Sequence, residues 1–105
     1  MSSPEVEIAR QQWQAGTRRL ESARGDPRLY HRLMNQVEAI TKELRRRLGR
    51  TFTLAELADC YRAADRWTLD VVEDADPEPG WQRHVSTVAD AAFHLYARGA
   101  SDYTP

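Results

Sequence analysis

The chain has 105 residues, 30% of them charged and 41% apolar, with a net charge of −1. That length suits one domain, residues 1–105, with one modest core, and the balance of apolar and charged residues excludes wholesale disorder. A single cysteine excludes an internal disulfide and a multi-cysteine metal site.

The first element opens at Ser3-Pro4-Glu5, which reads as N-cap, first-turn proline and acid. Val6, Ala9, Trp13, Gly16 and Leu20 then recur at spacings of three and four, a narrow helical seam. Small residues dominate that seam, so the first helix, near residues 4–24, is expected at the periphery and loosely held. Gly16 marks either a close helix approach or a kink. Gly25-Asp26-Pro27 then supplies stop, cap and restart. The second helix, near 27–48, carries Tyr30, Leu33, Val37, Ile40, Leu44 and Leu48 on one face. Its end is rich in arginine, as a helix dipole favours, and Gly49 closes it.

Thr53-Leu54-Ala55-Glu56 is a capping box, with Phe52 placed to staple onto Leu57. The third helix is read as continuous over 54–74, with Leu54, Leu57, Tyr61, Ala64, Thr68, Val71 and Val72 inward and Cys60 and Trp67 on a flank. The acidic run from Glu73 to Gly80 ends it. The fourth helix, near 81–98, has the widest apolar arc, from Trp81 through Val85, Val88, Ala89, Ala92, Phe93 and Leu95 to Tyr96. It is expected to be the most buried. No alternating β pattern occurs. The expected fold is all-α, a small antiparallel bundle of about four helices.

Charge divides the chain near Gly49. Residues 1–50 hold eleven basic and six acidic side chains, a net of +5, while 51–105 hold four basic and ten acidic, a net of −6. Three readings follow: the two halves pack against each other, they form a bipolar surface for a partner or a second copy, or Arg45, Arg46, Arg47 and Arg50 meet nucleic acid. The near-neutral charge and the acidic second half oppose the last.

Thr53-Leu54-Ala55-Glu56-Leu57-Ala58 resembles the opening helix of a helix-turn-helix over six residues. Arg62 stands where that motif usually has a turn glycine, and Asp65-Arg66-Trp67-Thr68-Leu69-Asp70 is too acidic for a DNA-facing helix. The match is therefore read as the capping box alone.

Catalytic chemistry finds little footing. His84 and His94 do not share a face, Asp90 and His94 form at most a surface pair, and Cys60 lies beside an apolar face. No phosphate loop, dinucleotide fingerprint or nucleophile elbow occurs. The reading is a non-enzymatic protein-interaction module, with no cofactor, no metal and no small-molecule substrate evident. Its partner is another protein or a second copy, and nucleic acid through Arg45–Arg50 is the alternative. Candidate contacts are Trp67, Cys60, Arg45, Arg46, Arg47 and Arg50, with Glu73, Asp74 and Asp76 in the acidic loop. The polar, acidic start Met1–Glu7, the lone thiol and the lack of a membrane-length apolar run suit a cytoplasmic adaptor or regulator.

Overall fold

The computed structural model describes residues 3–78 and 80–105 and, for Trp81, the backbone only. The expectations that Trp81 joins the apolar arc and that Met1-Ser2 belong to a polar start, and the Pro79 position of the run from Glu73 to Gly80, lie outside the described residues. Within them the fold is all-α, as expected, but with five helices rather than four.

The first helix, α1, spans Pro4–Glu21 and starts where the cap demands, with Ser3 Oγ accepting from the Val6 N–H at 3.2 Å. A 3₁₀ turn, Ser22–Gly25, leads to α2, Pro27–Leu48, whose Asp26 cap accepts from the Leu29 N–H at 3.3 Å. Gly49 ends α2 with φ of 75°, a left-handed value that any residue with a Cβ adopts at a cost. The third helix, α3, spans only Leu54–Arg62. Its capping box is formed in both directions: Thr53 Oγ1 accepts from the Glu56 N–H at 3.2 Å, and Glu56 Oε1 accepts from the Thr53 N–H at 3.0 Å.

The continuous third helix of the sequence reading is overturned. A 3₁₀ turn at Ala64–Arg66 separates α3 from α4, Thr68–Ala75. No glycine or proline marks the break. Along an unbroken helix Trp67 would point well away from the face of Leu57 and Val72. A 3₁₀ turn advances about 20° more per residue than an α-helix, and three such residues swing Trp67 inward. Ala64, Trp67, Thr68 and Val72 are then all buried.

A third 3₁₀ turn, Trp81–His84, feeds α5, Val85–Ala97, which is the centre of the fold. Its residues 88–93 are buried without interruption, because α1 and α2 both pack along it. Leu95 departs from the expected arc and is 46% exposed.

The peripheral first helix is also overturned. The seam residues Val6, Ala9, Trp13, Gly16 and Leu20 are buried as their spacing required. They face α5, however, in the most extensive helix pairing among the described residues. Trp13 is fully buried, stacked against Phe93 at 5.7 Å and edge-on to Tyr61 at 5.7 Å. Gly16 is a close-approach glycine: a Cβ built there would overlap the side chain of Asp90.

Residues after α5 complete the helix ends. Ser101 N–H donates to the Phe52 carbonyl at 2.9 Å, and Asp102 Oδ1 accepts from the Leu54 N–H at 2.8 Å. The tail therefore gives α3 a second N-terminal cap, from the far end of the chain.

Candidate functional site

Four alanines drawn from separate elements make the floor of a surface concavity: Ala9 of α1, Ala58 of α3, Ala64 of the 3₁₀ turn and Ala89 of α5. All four are buried. Side chains this short leave the backbones of three helices bounding an open groove of about 540 Å³. Two of the large apolar side chains that remain exposed stand on its rim, Ile8 at 58% and Leu69 at 39%. Gln12, Tyr61, Thr68 and Val85 complete the walls, and Glu5, Arg62 and Asp65 supply charge at the edge. Arg62 pairs with Glu5 at 2.9 Å and also with Asp59, so the rim carries an excess of carboxylate.

One wall of the groove rests on a buried polar knot. Asp90 is 6% exposed. Its Oδ1 accepts from the Tyr61 hydroxyl at 2.6 Å, and its Oδ2 accepts from Arg19 Nη2 at 3.1 Å. Arg19 also donates to the Thr87 hydroxyl at 3.1 Å. Three helices, α1, α3 and α5, are thereby tied through one carboxylate. The expected surface position of Asp90 beside His94 is overturned, because the missing Cβ of Gly16 lets α1 close over Asp90. Burial pushes the Asp90 carboxyl above its ordinary range, against the opposing pull of Tyr61 and Arg19. Burial and the neighbouring carboxylate push the Tyr61 phenol well above its ordinary value. In this arrangement the Tyr61 hydroxyl is the donor and the Asp90 carboxylate the acceptor.

The residues singled out from sequence lie elsewhere. Arg47, Trp67 and Cys60 do come together, but in an internal contact. The Arg47 guanidinium lies 4.5 Å over the Trp67 ring, and Trp67 is 8% exposed with its other neighbour Phe93 at 6.4 Å. Burial pushes the half-buried Cys60 thiol up, while the charge of Arg47 opposes this. Arg46 and Arg47 both bond Glu43, whose carboxyl is held below its usual range, chiefly by Arg46. Arg45 and Arg50 instead line a second, shallower cleft with Thr41, Phe52, Leu95, Tyr96 and Gly99, of about 480 Å³.

The acidic loop is divided as well. Glu73 and Asp74 stay exposed on α4. Asp76 turns back onto α2, where it bonds Arg32 and accepts from Gln36 Nε2 at 2.9 Å. The Arg32 bond holds its carboxyl below the usual range. The basic and acidic halves thus meet across the fold at Arg19–Asp90 and Arg32–Asp76.

Sequence reasoning passed over Ile8, Leu69 and the groove altogether. The signal was the isolated Ile8 and Leu69, each large and apolar yet off the buried seam of its own helix. Among the described residues no three His, Cys, Asp or Glu side chains cluster as a metal ion requires, and no helix is long and apolar enough to cross a membrane. Comparisons with protein-family models, with curated proteins and with solved structures return no match.

Proposed function

We propose that this domain is a non-enzymatic interaction module whose groove takes an amphipathic helix of a partner protein. The groove carries the reading. Apolar side chains as large as Ile8 and Leu69 stand exposed at the edge of a concavity with an alanine floor, and exposed apolar surface of this kind marks interaction sites. A helix laid in such a groove inserts apolar side chains repeating every three to four residues. The carboxylate excess of the rim favours a partner helix with basic flanks, which sets orientation and speeds association.

Nucleic-acid binding draws less support. Arg46 and Arg47 already share the Glu43 carboxylate, and the exposed side of α4 presents Leu69, Asp70, Glu73 and Asp74.

The test uses two synthetic amphipathic helices of equal length, one built from leucine and lysine, the other from leucine and glutamate, titrated by fluorescence anisotropy. The basic peptide is expected to bind and the acidic one not. Ile8→Ala and Leu69→Ala together are expected to weaken binding by at least about tenfold, as loss of interface anchors does. Binding unchanged in that double variant, or a preference for the acidic peptide, overturns the reading. Light scattering supplies the remaining arm: a dimer abolished by the same double variant would put a second copy in the groove instead of a partner.

A further inference from the structure

The four arginines around Gly49 form a single basic cluster in the sequence and three separate arrangements in the fold. Arg46 is neutralised by Glu43, and Arg47 divides between Glu43 and the Trp67 ring. The guanidiniums of Arg45 and Arg50 have no ion-pair or hydrogen-bond partner among the described residues. Both line the 480 Å³ cleft between the end of α2 and the end of α5. The cleft also holds Leu95, the one large exposed apolar side chain among the described residues that does not belong to the groove.

The apolar side of this cleft is built on an aromatic stack. Phe52 and Tyr96 stack with ring centres 4.6 Å apart and planes 14° off parallel. The Tyr96 hydroxyl donates to the Gly49 carbonyl, so the linker that carries Arg50 is tethered to α5. Gly99 borders the buried Phe52 ring, and a Cβ there would lie 3.7 Å from it, in ordinary contact.

We propose that this cleft binds a small organic phosphate monoester, with the phosphate between Arg45 and Arg50 and a flat apolar body against Leu95 and Tyr96. Charge selects phosphate over carboxylate. One guanidinium already satisfies a carboxylate by a bidentate pair, whereas two unneutralised guanidiniums match a dianion with three acceptor oxygens. The ends of α2 and α5 oppose an anion, each with about half a negative charge. Their sum is about half the two full positive charges, and the Tyr96 hydroxyl already occupies the Gly49 carbonyl. The cleft therefore stays positive. Its volume lies in the range that takes a mononucleotide-sized ligand. The cleft is separate from the groove and does not depend on what the groove binds.

The probes are phenyl phosphate, inorganic phosphate and phenylacetate, titrated into the protein by calorimetry and by amide NMR. Phenyl phosphate is expected to saturate at about millimolar concentration or below and to bind roughly tenfold more tightly than either control. Arg45→Gln and Arg50→Gln should each weaken it about tenfold, and Leu95→Ser should weaken phenyl phosphate but not inorganic phosphate. Both arginines and Leu95 are exposed, so the variants should keep the wild-type melting temperature. Three outcomes overturn the proposal: no saturation at about 10 mM, equal binding of phenyl phosphate and inorganic phosphate, or binding untouched by both arginine substitutions. Duplex DNA bound through Arg45 and Arg50, without affinity for phenyl phosphate, also overturns it and assigns the cleft to a polynucleotide backbone.

Discussion

The two clefts of this domain are nearly equal in volume, about 540 and 480 Å³, and differ in how they are held open. The groove exists because small residues let helices come close: Gly16 admits Asp90, and the alanine floor follows from the same tight approach. Its support is deep in the core, through Trp13, Phe93 and the Asp90–Tyr61–Arg19 knot. The second cleft lies where two helices end. Its support is shallow, one aromatic stack and one tyrosine tether. The difference means that damage to the groove should appear as lost stability, whereas the second cleft should change shape with the fold intact.

The largest effect is expected at the groove's support. Trp13→Ala should cost about 3–5 kcal/mol in chemical denaturation, as removal of a fully buried aromatic does. Gly16→Ala is the sharper test, because two effects oppose each other. Alanine gains up to about 1 kcal/mol of helix propensity, while the overlap with Asp90 should cost about 1–3 kcal/mol. A net loss is expected. Gly25→Ala, where nothing lies within 4 Å, should lose nothing. A Gly16→Ala protein as stable as wild type would show that α1 does not close on α5 as described.

The two aspartates that pair with arginines across the fold, Asp90 and Asp76, should respond to pH with opposite signs. Burial raises the Asp90 pKa, so its ionisation weighs against folding. The stability of wild type relative to Asp90→Asn should therefore fall as pH rises from about 4, the unfolded carboxyl value, through the raised folded one. Arg32 lowers the Asp76 pKa. Wild type relative to Asp76→Asn should therefore keep its full advantage above about pH 4 and lose it as pH falls through the lowered value. Urea melts from acid to neutral pH measure both slopes, and slopes of the same sign would contradict one assignment.

The smallest effect is expected at the second cleft. Tyr96→Phe removes only the bond to the Gly49 carbonyl and should cost about 0.5–1.5 kcal/mol. Amide shifts should be confined to the residues around Gly49, Phe52 and Gly99, with the groove unchanged. Shifts spreading to Tyr61 and Asp90 would join the two regions into one.

Much of the helical layout was legible in the residue order. Ser3, Asp26 and the Thr53–Glu56 box cap their helices as read, and Gly49 stops α2. These signals are local: a side chain three residues away satisfies an orphan N–H, or a glycine accepts a left-handed φ. The buried seam of α1 was legible too, because helical period alone sets which residues share a face. Its depth was misread, since a seam of Ala and Gly looks weak until a partner helix exploits the space it leaves.

What only the tertiary structure decided depends on side chains that meet from distant parts of the chain. The break after Arg62 has no breaker residue; it follows from Trp67 turning in against Phe93 and beneath Arg47. Asp90 looks like a surface residue beside His94 until Gly16, Tyr61 and Arg19 converge on it from two other helices. The arginine run around Gly49 looks like one patch until Glu43 and Trp67 claim two of its members and leave Arg45 and Arg50 to the cleft. The sequence by itself determined where α1, α2 and α3 begin and which residues share their apolar faces, because caps and period act within one or two turns. Which charges are neutralised, which stay free and where the grooves open was decided by contacts between elements, which no local pattern records.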